Sequence, residues 1–248
     1  MANSNIEKPV CAIVGAGDGL GQSLAAKFAK EGFNIALLSR SKAGSQAALD
    51  AASIAAPDVT VQYYSADAMN PETISSAFSR VNEEMSAPSV MIYNVRGDMN
   101  AKPPLDINFQ ELRDIFELEV VGAHAAAKAV MPRMVEQGSG TVIFSSATAA
   151  LRGSGTNPLY AIGKFGLRAL AQNLAKAYNS TGVHVAHVRL DCMLDVPIVR
   201  KHYGDTFNEE NSSNTDDVAE SYFWIHQQPK SAWSNEVEIR PFTEEWTF

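Results

Sequence analysis

The chain has 248 residues, of which 46% are hydrophobic and 19% charged, enough apolar material for one large α/β domain or two small ones. The formal net charge is −8 and no block rich in lysine and arginine occurs, which argues against non-specific nucleic-acid binding. The two cysteines, Cys11 and Cys192, give neither a metal-ligand spacing nor a disulfide framework, which fits a reducing compartment.

The first residues of the chain, 1–8, are polar and lack the apolar region of a signal peptide. No later apolar run approaches the roughly 18 residues that a membrane span needs. The sequence therefore predicts a soluble, cytoplasmic protein without a membrane partner.

A glycine-rich turn joins the first predicted strand, 9–14, to a helix that includes 22–30. Gly15, Gly19 and Gly21 have the spacing Gly-x-x-x-Gly-x-Gly, with Asp18 and Leu20 between them. At a strand–turn–helix junction, the backbone N–H groups at the helix N-terminus can bind a pyrophosphate. The position of the turn, more than its glycine content, therefore indicates a dinucleotide site.

The second predicted strand, 33–38, ends in Ser39 and Arg40. An acidic residue here would bind the ribose 2′-hydroxyl of NAD, whereas a serine followed by an arginine suits the 2′-phosphate of NADP. The alternative is an ordinary solvated arginine at a strand end. Asp18 also argues against a phosphate if its carboxylate points inward, because like charges repel. We expect NADP as the cofactor, with NAD less favoured.

Strands and helices alternate through the rest of the chain without a linker, a repeat or a block of charge. The further predicted strands are 59–64, 89–93, 141–146, 183–190 and 236–240. The predicted helices are 43–56, 72–85, 108–137 (bent or ended by Pro132), 160–178, and 216–227, which Thr215 can cap. This alternation predicts a doubly wound parallel sheet of about seven strands with helices on both faces.

Ligands of such sheets bind at the carboxyl ends of the strands. Residues at those ends could therefore line one crevice: Gly15, Arg40, Asp67, Asn94, Ser146 and Asp191.

Tyr160 and Lys164 lie four residues apart in a predicted helix, so they point in the same direction. A nearby ammonium favours the phenolate form of a tyrosine, whose pKa is ordinarily near 10. Lowering that pKa by three units takes about 4 kcal/mol. The pair is a candidate general acid–base. The alternative is an amphipathic helix in which the two residues have no joint role.

Taken in order, these features resemble the short-chain dehydrogenase/reductase family over nearly the whole chain. They are the glycine turn, Asp67 after the third strand, Asn94-Val95-Arg96-Gly97 where the family has Asn-Asn-Ala-Gly, and Tyr160-x-x-x-Lys164. The resemblance implies one Rossmann-type NAD(P)-binding domain over 1–248. It also implies hydride transfer between nicotinamide C4 and a small carbonyl or alcohol substrate, in a homodimer or homotetramer.

The resemblance also implies roles for individual residues. Tyr160 would be the proton donor or acceptor, and Lys164 would bind the nicotinamide ribose and lower the pKa of Tyr160. Asp67 would contact the adenine, and the cofactor site would include its neighbour Ala68 and the Asn94, Val95 and Arg96 segment.

The chain departs from the family at the expected catalytic positions. Glu119 replaces an asparagine that in the family supports a water-mediated proton path to the lysine. Its carboxylate would offset the lowering of the Tyr160 pKa by Lys164. The family serine lies about thirteen residues before the tyrosine, which gives Ala147. Ser146 lies one position earlier and Thr148 one later. A one-residue shift in the loop would bring Ser146 into place.

Further departures follow the sixth strand. Asp191 and Cys192 replace a Pro-Gly pair, and Val196 replaces a threonine that binds the nicotinamide. These changes leave open a second hypothesis, a non-catalytic NADP(H)-binding sensor or scaffold protein of the same fold.

The C-terminal part is predicted to form the substrate side, with a loop over 191–214 whose polar segment 202–214 closes over the substrate. The segment 235–248 is predicted to be a strand followed by a tail, 241–248, and this tail, with Trp246 and Phe248, is expected to pack on a neighbouring subunit. Small outer positions on the central helices, Ala125, Ala126, Ala169 and Leu170, are expected to form a two-fold contact. Trp224 and Trp233 are interpreted as packing residues, and the five histidines indicate no metal site.

Overall fold

A computed structural model describes residues 8–97 and 101–245. Within them, the strands are β1 (Val10–Val14), β2 (Asn34–Ser39), β3 (Val61–Ser65), β4 (Val90–Tyr93), β5 (Gly140–Ala147), β6 (Val183–Leu190), β7 (Met193–Leu194), β8 (Ser212–Ser213) and β9 (Glu236–Ile239). The α-helices are α1 (Leu20–Lys30), α2 (Gln46–Ala55), α3 (Pro71–Glu84), α4 (Phe109–Phe116), α5 (Gly122–Gln137), α6 (Pro158–Tyr178), α7 (Pro197–Tyr203) and α8 (Thr215–Gln227).

The main sheet has seven parallel strands in the order β3-β2-β1-β4-β5-β6-β9, which confirms the predicted fold class. Its central strands are continuous apolar runs, such as Val10–Val14, because both faces are covered by helices. One face packs on α3, α5 and α6, and the other on α1, α2 and α8. The strand order reverses between β1 and β4, the point where such sheets leave a crevice at their carboxyl ends.

The central helix differs from the single segment predicted over 108–137. A π-helical turn, Glu117–Val121, separates α4 from α5. Asn108 caps α4 through a capping box with Glu111. The first residue of α5 must be very small, because a Cβ on Gly122 would lie 2.1 Å from the carbonyl oxygen of Ala68. Pro132 lies inside α5 and does not end it, since the helix continues to Gln137.

Several smaller expectations were wrong. Ala125 and Ala126 are buried in the core of the subunit because that face of α5 packs on the sheet, so they are not outer positions. Asn214, not Thr215, caps α8 by accepting a hydrogen bond from the N–H of Asp216 at 2.8 Å. Trp224 is 54% exposed, because it lies on the outer side of α8.

The predicted substrate loop has regular structure. It contains α7, a 3₁₀ turn at Gly204–Thr206, and a short parallel pair formed by β7 and β8. The expected tail contacts of Trp246 and Phe248 lie outside the described residues. No helix in the described ranges has both the length and the apolar character needed to cross a membrane.

Candidate active site

A groove runs along the carboxyl ends of the sheet strands and consists of two adjoining pockets. The first pocket, about 410 Å³, is lined by residues that follow β1, β2, β3 and β4. The second, about 320 Å³, lies between the glycine turn, the end of β5, α6 and the segment around α7. The pockets share five lining residues: Gly15, Gly17, Asn94, Val95 and Arg96. Every residue proposed for the cofactor or catalytic site lines at least one of them.

The glycine turn forms the floor where the pockets meet. Gly15 has a φ of +86°, and a Cβ there would lie 2.8 Å from the carbonyl carbon of Asn94. A Cβ on Gly21 would lie 2.8 Å from Cα of Ala16, so α1 can begin directly against the turn. No side chain among the described residues caps α1. The shape and the first N–H groups of the helix therefore fit a pyrophosphate.

The first pocket contains Ser39 and Arg40, on which the expectation of NADP as cofactor rests. Arg40 is exposed and makes no ion pair or hydrogen bond within the described residues. The hydroxyl of Ser39 lies 2.6 Å from that of Ser45, which positions the strand end. Asp67 lines the same pocket with Ala68, and its carboxylate accepts the N–H of Met69 at 3.0 Å. Asp18 lines only the second pocket, so it does not share the first pocket with Arg40.

Lys164, which lines the second pocket, forms a buried ion pair with Glu119. The Lys164 Nζ lies 2.8 Å from Oε2 of Glu119, and the side chains are 2% and 0% exposed. Lys164 also donates to the carbonyl oxygens of Val95 and Ser145, both at 3.3 Å. The other carboxylate oxygen of Glu119 accepts the N–H of Gly97 at 2.8 Å. The three ammonium protons are thus directed to partners inside the protein.

Tyr160 lies in the same pocket, with the Lys164 Nζ 5.7 Å from the centre of its ring. Burial raises the pKa of Tyr160, and the charge of Glu119 raises it further. Lys164 and Arg96 lower that pKa but do not reverse the rise. Lys164 thus lowers the pKa of Tyr160 as expected, but the net pKa is raised, because burial and the charge of Glu119 together outweigh the ammonium.

Ser146 lies at the end of β5 and lines the pocket beside Tyr160. It is 4% exposed, and its hydroxyl has no hydrogen-bond partner among the described residues. Thr148 is directed elsewhere, since its hydroxyl donates to the carboxylate of Asp191. Of the two hydroxyl groups flanking Ala147, only that of Ser146 can therefore meet a ligand in this pocket.

Asp191 does not line the groove, contrary to the expectation from its place after β6. It is buried and accepts hydrogen bonds from Thr148 and from the guanidinium of Arg240. An unpaired buried carboxylate is unfavourable, so these partners draw it away from the pocket. Cys192 and Val196 do line the pocket, and Val196 packs against the glycine turn, with its Cγ1 3.1 Å from where a Gly19 Cβ would lie.

The sequence did not indicate the groups that hold Lys164 in place. Two are main-chain carbonyl oxygens, of Val95 and Ser145, which carry no side-chain signature. The hydroxyl of Ser145 faces the other way and accepts a hydrogen bond from Tyr222 of α8. The alternation of side chains along β5 predicts that Ser145 and Ser146 point to opposite faces of the sheet. It does not predict their hydrogen-bond partners.

Comparisons with known proteins concern the family and the fold of the chain. A family model described as short chain dehydrogenase matches residues 9–202. An uncharacterised oxidoreductase of Staphylococcus epidermidis is 24% identical over 242 residues, covering 96% of this chain and 99% of the relative. A short-chain dehydrogenase structure from Rhodopseudomonas palustris superposes with a TM-score of 0.79 at 29% identity, over 94% of this chain and 99% of that one.

A more distant solved structure shares the fold. The L-sorbose reductase of Gluconobacter frateurii, complexed with NADPH and L-sorbose, superposes with a TM-score of 0.83 at 17% identity. The alignment covers 94% of this chain and 96% of the reductase.

Proposed function

Because the chain belongs to the short-chain dehydrogenase family, we propose that it is an NADP-dependent oxidoreductase acting on a small carbonyl or alcohol substrate. One observation carries the proposal. A single groove has the glycine turn and an unpaired Arg40 in one pocket, and Ser146, Tyr160 and Lys164 in the other. This arrangement would place a bound dinucleotide next to the substrate carbon that exchanges the hydride.

The chain's own residues account for cofactor binding. The turn from Gly15 to Gly21 and the N-terminus of α1 would hold the pyrophosphate, and Asp67 would contact the adenine. Arg40 would bind the 2′-phosphate of NADP, and its lack of an internal partner leaves its N–H groups available. The NADPH complex of the distant L-sorbose reductase is consistent with this choice.

Tyr160 would transfer the proton in the reaction. The bound nicotinamide supplies or accepts the hydride at its C4. As negative charge develops on a substrate carbonyl oxygen, the Tyr160 hydroxyl donates its proton to that oxygen. Ser146, whose hydroxyl is otherwise unpaired, would donate a hydrogen bond to the same oxygen and orient it. A raised pKa keeps Tyr160 protonated at neutral pH, which suits carbonyl reduction.

Apolar side chains surround the place where the substrate would bind. Leu194, Val196, Ile198 and Val199 line the second pocket on the side of α7. These residues would exclude water from the transferred hydride and favour a substrate with an apolar body.

The proposal is tested by following NADPH absorbance with a broad panel of carbonyl compounds. In Tyr160→Phe, turnover should fall by about 10²–10⁴, with NADPH affinity nearly unchanged, because only the proton source is removed. Tyr178→Phe is the matched control, since Tyr178 ends the same helix far from the groove. Full turnover by Tyr160→Phe would refute the role. NADPH binding without turnover on any substrate would favour the alternative, a non-catalytic sensor or scaffold.

We also propose a homodimer or homotetramer, with a contact that does not involve Ala125 and Ala126, which are buried within the subunit. Exposed apolar side chains lie on α4 and α6: Phe109, Phe116, Ile162 and Phe165. The two helices adjoin, since a Cβ on Gly166 of α6 would lie 3.4 Å from the Phe116 ring. Several exposed apolar side chains on adjoining helices are typical of a protein interface.

A further inference from the structure

The ammonium group of Lys164 has an acceptor inside the protein for each of its three protons. It lies 2.8 Å from Oε2 of Glu119 and 3.3 Å from the carbonyl oxygens of Val95 and Ser145. An ammonium has three donors and no acceptor, so these contacts use its full capacity. The Lys164 side chain is also only 2% exposed. A further acceptor, such as a ribose hydroxyl in the groove, would therefore have to take the place of an internal one.

The Glu119 carboxylate is held in place beside this ammonium. Its side chain is 0% exposed, and its other oxygen, Oε1, accepts the N–H of Gly97 at 2.8 Å. Two glycines leave room for it, since a Cβ on Gly163 would lie 2.8 Å from Cγ of Glu119 and a Cβ on Gly97 would lie 3.4 Å from Oε1. A hydrogen bond between two charged groups is stronger than one to a neutral hydroxyl. A sugar hydroxyl is therefore a weaker acceptor for Lys164 than the carboxylate already in contact with it.

The segments that meet at Lys164 also carry the two candidate catalytic hydroxyl groups. Ser145 directly precedes Ser146 near the end of β5, and Lys164 lies one turn after Tyr160 in α6. The hydrogen bond from Lys164 to the Ser145 carbonyl therefore joins the strand of one hydroxyl group to the helix of the other. Glu119 holds the ammonium in this position from the π-helical turn.

We propose that Lys164 is a positioning residue, which fixes Ser146 relative to Tyr160 from inside the protein, and that it does not bind the nicotinamide ribose. This role differs from the one that the family resemblance implies for Lys164. The difference follows from Glu119, which stands where the family has an uncharged asparagine and which is the counter-ion of the ammonium. The assignment rests on the proposed function, since it concerns the nicotinamide end of the cofactor site.

Titration calorimetry with two ligands separates the halves of the cofactor. NADPH has the nicotinamide ribose, whereas adenosine 2′,5′-bisphosphate lacks it and keeps the 2′-phosphate. The ratio of their dissociation constants therefore measures the contribution of the nicotinamide half. The double variant Lys164→Met/Glu119→Gln removes both buried charges and leaves the net charge unchanged.

In this double variant, the ratio of the two dissociation constants should change by less than about threefold. Its kcat should fall by about tenfold or more, because Ser146 and Tyr160 are no longer held together. A tenfold loss of affinity for NADPH alone would overturn the proposal, and so would an unchanged kcat.

Glu119→Asn supplies the opposite test, because it frees one proton of Lys164 for the groove. NADPH should then bind more tightly relative to adenosine 2′,5′-bisphosphate. Adding Lys164→Met should reverse this gain by about tenfold, the factor for one hydrogen bond from a charged donor. No gain in Glu119→Asn would overturn the proposal.

Glu117→Gln is the matched control for Glu119→Asn. It removes a negative charge from the same π-helical turn, whereas the ion pair of Lys164 is with Glu119. It should leave the ratio of the two dissociation constants unchanged. An equal gain in Glu117→Gln would show a general effect of charge and would also overturn the proposal.

A measurement on the cofactor-free wild-type protein does not depend on how well the variants fold. Among the described lysines, Lys164 alone is buried. In NMR spectra of protein with isotope-labelled lysine, its ammonium protons should exchange slowly enough with water to remain visible near neutral pH, unlike those of exposed lysines. Rapid exchange of the Lys164 protons would overturn the proposal. If the wild-type protein bound neither ligand while these protons exchanged slowly, the proposed function would fail and the internal role of Lys164 would stand.

Discussion

Glu119→Gln should destabilise the protein by about 3 kcal/mol, far more than an ordinary surface substitution. The glutamine has nearly the shape of glutamate, but it removes the negative charge beside a Lys164 ammonium that is only 2% exposed. Breaking a buried ion pair by removing one partner typically costs 3–5 kcal/mol, because the other charge is left uncompensated. The lower end applies here, because the ammonium keeps two carbonyl acceptors.

The hydrogen bond to Gly97 accounts for part of this loss. A glutamine has one acceptor oxygen, so it can serve either the Gly97 N–H or the Lys164 ammonium, whereas Glu119 serves both. An unsatisfied buried N–H costs about 1 kcal/mol or more. For a chain of this length, a total near 3 kcal/mol corresponds to a fall in Tm of about 6–12 °C.

Denaturant unfolding and calorimetry measure this loss, and a double-mutant cycle assigns it to the pair. Lys164→Met alone leaves a buried carboxylate, whereas the double variant Glu119→Gln/Lys164→Met removes both charges and should lose much less stability than the two single changes added together. Glu136→Gln is the control, since it breaks the exposed Arg133–Glu136 pair and should change stability by less than about 1 kcal/mol. Equal losses in Glu119→Gln and Glu136→Gln would refute the reasoning.

Three other predictions concern the cofactor, acid stability and assembly. NADPH should bind more tightly than NADH by roughly 1.5–3 kcal/mol in titration calorimetry, and Arg40→Asp should abolish most of that difference; equal affinities in the wild type would contradict it. Burial lowers the pKa of His187 from 6.5 to about 4, so the unfolded chain takes up this proton first, and about 3 kcal/mol of stability should be lost as the pH falls from about 6.5 towards 4. Denaturation midpoints across this range should fall less in His187→Leu than in the wild type. Phe165→Glu should shift light-scattering masses towards that of one chain, and a wild-type monomer at all concentrations would exclude the assembly.

The fold could be predicted because its signals are local and repeated. Apolar strands such as β1 and β6 are recognisable from continuous hydrophobic runs, and β6 has the predicted bounds. The prediction of one continuous central helix was wrong at one place, the π-helical turn at Glu117–Val121. Its residues have ordinary helical character, and the inserted geometry is tied to contacts such as Tyr93 Oη donating to the Leu118 carbonyl, which joins residues 25 positions apart. Periodicity within a segment carries no information about such contacts.

The residues of the candidate site could be named from the sequence, but their pairings could not. Tyr160, Lys164 and Glu119 were recognised from spacing and from the resemblance, and the opposing effect of Glu119 was expected on charge alone. That the carboxylate would contact the ammonium and the Gly97 N–H together depends on how α4, β4 and α6 pack. Asp191 is the opposite case. Its position at a strand end predicted that it would line the groove, but its carboxylate instead forms an ion pair with Arg240, a residue near the end of the chain.

Glu119 and Arg96 act in opposite directions on the pKa of Tyr160. The family pattern named above has an asparagine and an alanine at these positions, leaving one positive charge, that of the lysine, near the tyrosine. Here Lys164, Glu119 and Arg96 together also carry a net charge of +1 around Tyr160. On this argument, Glu119→Asn should lower the pKa of Tyr160 and Arg96→Ala should raise it, because each single change alters that sum.

The double variant Glu119→Asn/Arg96→Ala has the same net charge as the wild type. We expect its midpoint in the pH dependence of kcat to lie between those of the two single variants and near that of the wild type, even though its stability falls with the loss of the buried pair. Turnover of Glu119→Asn per folded molecule should be unchanged or higher, since the carboxylate no longer opposes Lys164. If both single variants moved the midpoint in the same direction, charge compensation would be wrong, and the two residues would affect Tyr160 through packing instead.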